Sequence, residues 1–280
     1  LDRLLGHSAD EAPLVLQLGG SQPKRLAQAV VRAAPWNFAE INLNVGCPSD
    51  RVQSGKFGAC LMAEPELVAS CCRAMMDETD VPVTVKCRIG IDDMDSETGL
   101  DRFVDTVAAA GVSVFYLHAR KALLNGLSPK ENRIIPPLDY ERARRLATRR
   151  SDLSVILNGG LETADQAIAE MHGCDGVMIG RAAYRTPYML TEIAQRIFGR
   201  IPPRRDHVAL AMAEYAETTT KTGVPLHSIT RHMLGLYAGQ PGAKYWRRQL
   251  GENAQKAISP GDLIRETSAL CEELAARRAA

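Results

Sequence analysis

Cys47 is the residue in this sequence best placed to do chemistry. It lies in "NLNVGCPSDRVQSGKFGACLM", residues 42–62. The stretch opens as an apolar strand over 41–45, then breaks into Gly46, Cys47 and Pro48. A proline disfavours the helical region for the residue before it, so Pro48 holds Cys47 extended. A thiol on a stiff turn, followed by Ser49, Asp50 and Arg51, does not have core-like neighbours. It can serve as a nucleophile or as a proton donor. A nucleophile needs a base to strip it, whereas a donor must stay protonated. The residue types leave both roles open. Most free cysteines are small core hydrophobes, and Cys71, Cys72, Cys87 and Cys174 suit that role.

Further candidates end other apolar runs. Gln17 closes one such run and carries an amide with one acceptor and two donors, which suits the edge of a heterocycle. Asn44 stands three residues before Cys47. Lys86, in "VTVKCRIG", shares a strand face with Arg88. A lysine inside an apolar strand is costly unless it meets an anion. His118 ends "FYLH", where the competing role is a core histidine bonded to backbone. "LNGG" (157–160) and "IGRA" (179–182) place glycine turns at two successive strand ends, the second with Arg181. Backbone N–H groups freed by glycine next to a helix N-terminus bind phosphate well. Lys130 and Arg133 lie in the long polar and proline-rich stretch "SPKENRIIPPL" and are candidate phosphate contacts. "SITRHMLGLYAGQPGAKYWRRQL" (228–250) interleaves Arg231, Lys244 and Arg247 with Tyr237, Tyr245 and Trp246. That mixture suits RNA, although an amphipathic helix burying its own aromatics is the plainer reading.

These residues need strands to hold them. Apolar runs predict strands at 14–18, 41–45, 81–87, 112–117, 153–157 and 176–179, with amphipathic helices between them. Near-continuous apolar strands alternating with helices predict a parallel sheet covered on both faces. An open doubly wound sheet and a (β/α)8 barrel both satisfy this. No strand–GxGxxG–helix fingerprint opens the chain, which weakens the former. Polar residues cluster at the C-terminal strand tips, where barrel enzymes build their active sites. Six strands are two short of a barrel, and the expectation is that the first two βα units are absent from this chain. After Pro202-Pro203 only helical patterns follow, at about 205–221, 228–237, 242–257 and 260–278. The expected division is therefore a catalytic domain over 1–203 and a helical domain over 204–280.

Bulk properties narrow the function classes. The net charge of +1 argues against a globally basic nucleic-acid binder, but Lys and Arg outnumber acidic residues in 119–150 and in 200–280. The seven cysteines form no CxxC pair and no zinc set, so no metal is expected. Free thiols in this number suit a reducing cytosol. No run approaches the length of a membrane span.

Taken together, "LNVGCPSDRVQSGKFGACLM", "VKCRIG", "LHARKALLNGLSPKENRIIPPL", "LNGG", "VMIGRAAY" and "ITRHMLGLYAGQPGAKYWRR" resemble the tRNA-dihydrouridine synthases, most closely the A-type subfamily. The resemblance covers essentially the whole chain. It implies an FMN-holding (β/α)8 barrel, here without its first two strands, followed by a helical tRNA-binding domain. It implies reduction of uridine to 5,6-dihydrouridine at D-loop positions 20 and 20a, with NADPH as reductant and Cys47 giving the proton to C5. Gln17 and Lys86 would meet the isoalloxazine edge, and His118 would line the flavin pocket. Asn158, Gly159, Gly160, Gly180 and Arg181 would hold the phosphate. Asn44 would lie against the substrate nucleotide. Lys130, Arg133, Arg231, Lys244 and Arg247 would contact tRNA. The protein would be a cytoplasmic monomer. Two other functions compete: an FMN barrel reducing a free pyrimidine, and a truncated, catalytically impaired tRNA-binding remnant.

Overall fold

The computed structural model describes residues 1–49, 52 and 54–279. It divides into two compact units. The first comprises Leu1–Gly160 and Ala169–Met178; the second comprises Leu161–Ile168 and Ile179–Ala280.

The first unit is built on six parallel strands: β1 (Val15–Leu18), β2 (Glu40–Val45), β3 (Val83–Arg88), β4 (Val114–His118), β5 (Ser154–Asn158) and β6 (Gly176–Met178). Every strand pairs with the next one in sequence, in the order 1-2-3-4-5-6. A doubly wound sheet reverses its order at a switch point. This sheet never reverses, so its winding is that of a barrel. The expected strands are all present, displaced by one or two residues at their ends.

One expectation needs correction. The strands are not apolar on both faces. Ile41, Leu43 and Val45 of β2, Val83, Val85 and Cys87 of β3, Phe115 and Leu117 of β4, and Val155 and Leu157 of β5 form one buried apolar face. Helices supply its cover. Leu26 and Val30 of the helix Pro23–Ala33, Val68, Cys72 and Met75 of Pro65–Met76, and Phe103, Val104 and Val107 of Thr98–Ala108 recur every three or four residues and are buried in the same core. Each large side chain buried there contributes about 1.5–3 kcal/mol.

The other face is polar. Register pairs Gln17 with Asn42, Asn42 with Thr84, Asn44 with Lys86, Lys86 with Tyr116, Arg88 with His118, and His118 with Asn158. Partners in register share a face. The fold therefore lines up the polar residues of five strands, and the candidate site residues of β1 to β5 are among them.

The second unit is helical, with its own core. Ala209, Ala213 and Ala216 are buried on one face of the helix Arg205–Thr220, and Ile264 and Cys271 of Pro260–Ala279 belong to the same core. The helix predicted over 228–237 ends at Thr230. The Met233 carbonyl receives the Trp246 indole N–H at 2.8 Å, and the Thr230 hydroxyl donates to the Leu250 carbonyl at 2.8 Å. The N–H groups of His232, Met233, Leu236 and Ala238 instead bond to carbonyls three residues back. Trp246 and Tyr237 are buried with rings 4.7 Å apart, so these aromatics belong to the core. Lys244 and Arg247 are exposed. Removing the indole leaves a large cavity and an unpaired carbonyl. Trp246→Ala is expected to cost about 3–5 kcal/mol, read from chemical denaturation followed by helical circular dichroism.

Candidate active site

Cys47 lies two residues past β2, and its turn is held by Asn44 of that strand and by groups from two other segments. The Asn44 Oδ1 accepts the N–H of Gly46 at 3.0 Å and of Cys47 at 3.1 Å. The Gly46 carbonyl accepts Arg88 Nε at 2.9 Å. The Cys47 carbonyl accepts the Ala59 N–H at 2.9 Å. Gly58 makes that last approach possible: its φ is +75°, and a Cβ there would sit 2.5 Å from the Cys47 oxygen. The thiol is half-buried and lies 3.5 Å from the Ser49 hydroxyl. Asp50 and Arg51, the polar neighbours noted in the sequence, lie outside the described residues. The 54–58 stretch, with glycines at 55 and 58, reads in the sequence as a loop free to close on RNA. Gly58 and Ala59 are buried instead, so its end is anchored to the cysteine turn.

The other thiols differ. Burial pushes Cys71 up to about 11, and Cys72 and Cys87 up to about 12. These are core residues, as expected. Burial also raises Cys174, which is half-buried.

Arg88 does more than hold Gly46. Its Nη1 donates to the carbonyls of Lys121 at 3.0 Å and Asn132 at 2.9 Å. Asn132 is fully buried in "SPKENR". Its Oδ1 accepts the Leu123 N–H, and its Nδ2 donates to the carbonyls of Leu123 and Leu127. The long loop is thus tied into a fixed shape and joined through Arg88 to the cysteine turn. Lys130 and Arg133 flank Asn132 and are exposed.

Lys86 is part-buried on the polar face and makes no hydrogen bond or ion pair among the described residues. Burial, reinforced by Arg88, pulls its ammonium from 10.5 to about 8. His118 is buried beside it in charge terms. Burial, then Arg88, Lys86, Arg120 and Arg133, drive its imidazole down to about 2. The ring is therefore neutral and keeps both a donor and an acceptor nitrogen. It makes no hydrogen bond among the described residues, so the expected alternative of a backbone-bonded core histidine does not hold. Gly159 lies against it: a Cβ there would come within 2.6 Å of the ring. Gly159 and Gly160 have φ of +118° and +67°, and neither N–H donates to a described residue. Asn158 is held by its Nδ2 bond to the Met178 carbonyl at 2.7 Å. Gln17 donates to Asn42 Oδ1 at 2.8 Å and accepts from Asn44 at 3.2 Å.

Among the described residues Lys86 and Arg88 have no ion pair, His118 is neutral and the Gly159 and Gly160 N–H groups are unengaged, a set that fits an anionic, hydrogen-bonding cofactor such as a flavin mononucleotide. In the second unit, Gly180 caps the short helix Arg181–Arg185, and the Arg181 side chain is exposed with no ion pair among the described residues. Arg231 donates to His232 at 3.1 Å, and His232 also meets Tyr184 at 2.9 Å.

The basic stretch 119–150 also resolves. Arg142, Arg144, Arg145, Arg149 and Arg150 are ion-paired with Glu97, Asp101, Glu141, Glu170, Asp105 or Asp152. Among the described residues Lys130 and Arg133 have no ion pair. Among the described residues no group of His, Cys, Asp and Glu could hold a metal, and no helix is long and apolar enough to cross a membrane.

Sequence reasoning missed Glu40, Asn42, Thr84, Tyr116 and Asn132, and it gave Arg88 no role of its own. The available signal was the period-two alternation in "EINLNV" and "VTVKCR", which marks one polar face.

The winding order and the polar C-terminal strand tips place the first unit among barrel-type α/β enzymes. The chain belongs to the dihydrouridine synthase family, whose model matches residues 2–274. It is 53% identical over 254 residues to a tRNA-dihydrouridine(20/20a) synthase of Shewanella oneidensis, covering 90% of this chain and 76% of that one. The protein of the same name from Vibrio parahaemolyticus is 51% identical over 268 residues, covering 95% and 82%. That of Escherichia coli K12 is 52% identical over 256 residues, covering 90% and 74%.

The state of Lys86 can be checked by stability. Between pH 8 and 10.5 the unfolded chain holds the lysine proton and the folded chain does not, so stability rises with pH across that window. Below pH 8 the burial penalty is fully present. Flavin-free Lys86→Met should therefore be more stable than the parent at pH 7, with an advantage that shrinks as pH approaches 10. Urea denaturation at several pH values measures it.

Proposed function

We propose that this protein reduces uridine to 5,6-dihydrouridine in the D-loop of tRNA, at positions 20 and 20a. The observation that carries the reading is the Cys47 turn: a thiol fixed at a strand tip, beside Asn44 and next to an unpaired Lys86. The names of the relatives agree with it. We take the six-stranded sheet as part of a (β/α)8 barrel and residues 204–280 as a helical tRNA-binding domain, working in the cytoplasm.

FMN fits the polar face. When bound and reduced by NADPH, it supplies the hydride that uracil C6 accepts. Lys86 offers a cation and Gln17 its remaining N–H to the ring edge. His118 lines the pocket as a neutral imidazole. The N–H groups of Gly159 and Gly160, next to Asn158, would hold the phosphate.

The substrate must be drawn out of its stack before it can react. Asn44 lies against the nucleotide, and its side chain also fixes the turn that carries the thiol. Cys47 gives its proton to uracil C5. This role asks for a thiol that stays protonated, and no base contacts Cys47 among the described residues: its one side-chain partner is a serine hydroxyl. That favours the acid over the nucleophile. Lys130, Arg133, Arg231, Lys244 and Arg247 are exposed and suited to phosphate contacts.

Losing a general acid typically costs about 10²–10⁴-fold in rate. Cys47→Ala is expected to lose dihydrouridine formation on that scale while NADPH still reduces its flavin at the parental rate. Mass spectrometry of digested tRNA and flavin absorbance give the two readouts. Equal dihydrouridine turnover in the variant would remove Cys47 from the reaction.

A further inference from the structure

The polar face carries a chain of hydrogen bonds that the reaction alone does not require. The Gly46 and Cys47 N–H groups donate to Asn44 Oδ1. Asn44 Nδ2 donates to Gln17 Oε1 at 3.2 Å. Gln17 Nε2 donates to Asn42 Oδ1 at 2.8 Å. Asn42 Nδ2 donates to Thr84 Oγ1 at 2.8 Å, and the Thr84 hydroxyl donates to Glu40 Oε1. The chain crosses between β1, β2 and β3 and ends on a carboxylate at the start of β2.

Every link points the same way, and both ends require it. Backbone N–H groups can only donate, so Asn44 must turn its oxygen to the cysteine turn. Its NH₂ then faces Gln17, which must offer oxygen, and so on down the chain. An ionised carboxylate can only accept, so Thr84 must give its proton to Glu40 and receive from Asn42. The two conditions meet without conflict. Asn42 and Thr84 are buried, where a reversed or missing link would leave polar atoms unsatisfied. The second oxygen of Glu40 accepts the Tyr116 hydroxyl at 3.1 Å. Burial and the Glu40 charge push that phenol up to about 12, so it remains a donor.

We propose that Glu40 is a positioning residue: through Thr84, Asn42, Gln17 and Asn44 it orients the amides of the polar face and holds the turn that presents the Cys47 thiol. Its charge matters because it makes the carboxylate acceptor-only. The same polarity turns the Gln17 oxygen to Asn44 and leaves its amide one N–H beyond the bond to Asn42. The inference rests on the proposed function for its importance to catalysis, but not for its structural content.

Thr84→Val cuts the relay with a side chain of the same shape, Thr84→Ser keeps it, and Glu40→Met removes its end. The main readout is alkylation of Cys47 by iodoacetamide in the flavin-free protein, scored by peptide mass spectrometry with half-buried Cys174 as internal control. Thr84→Val and Glu40→Met are each expected to speed Cys47 alkylation severalfold and leave Cys174 unchanged, the double variant to match the single ones, and Thr84→Ser to behave as the parent. In tRNA turnover Thr84→Val should lose about ten- to a hundredfold in kcat with KM for tRNA unchanged. If Glu40→Met does not fold, Thr84→Val alone decides. Unchanged Cys47 alkylation in folded Thr84→Val, or an equal rise at Cys174, overturns the inference. If alkylation changes as expected but the parent protein forms no dihydrouridine, the relay stands and the functional reading falls.

Discussion

The structure depends on how four backbone groups around Cys47 find partners. A strand that ends in a turn leaves its last N–H and C=O groups without a ladder, and buried ones must be paired. Here the N–H groups of Gly46 and Cys47 go to Asn44, the Gly46 carbonyl goes to Arg88, and the Cys47 carbonyl goes to Ala59. Each partner comes from a different segment. The thiol is held because the turn beneath it has no spare group with which to rearrange.

From that requirement much of the site follows. Arg88 must reach Gly46 from β3, which brings a guanidinium onto the polar face. Its other nitrogen then ties down Lys121 and Asn132, fixing the loop that displays Lys130 and Arg133. The guanidinium also acts on its neighbours. Added to burial, the larger cause, it helps lower Lys86 and keep His118 neutral. Lys86 and Arg88, without an ion pair among the described residues, suit an anion, as the proposed flavin would be. One buried arginine therefore links thiol placement, the charge of the polar face and the shape of the loop that carries Lys130 and Arg133.

The sequence made part of this legible. The strands were readable because the helix-facing residues of each are apolar and evenly spaced; the apolar pattern left their winding open until the strand order settled it. Cys47, His118 and Asn158 stood out as polar residues at or just past the end of such a run, and Lys86 as a charge inside one. The supporting set was not. Asn42, Thr84 and Tyr116 look like minor interruptions in apolar strands, and their partners lie 25 to 76 positions away. Only register shows that they form one row. Asn132 looked like one more polar loop residue, yet it is the buried knot of its loop. Spacing also could not tell which way Trp246 and Tyr237 face, since a basic aromatic helix reads the same whether its rings meet RNA or its own core.

The central claim is that the electron acceptor at this site is a uridine within tRNA. A single-turnover measurement tests it most directly. The flavin-loaded protein is reduced with one equivalent of NADPH without oxygen and then mixed with unmodified tRNA or with free uridine. The account requires the oxidised flavin absorbance to return with tRNA alone, together with one dihydrouridine per flavin in the D-loop. Return with free uridine at the same rate, or no return with tRNA, would contradict it.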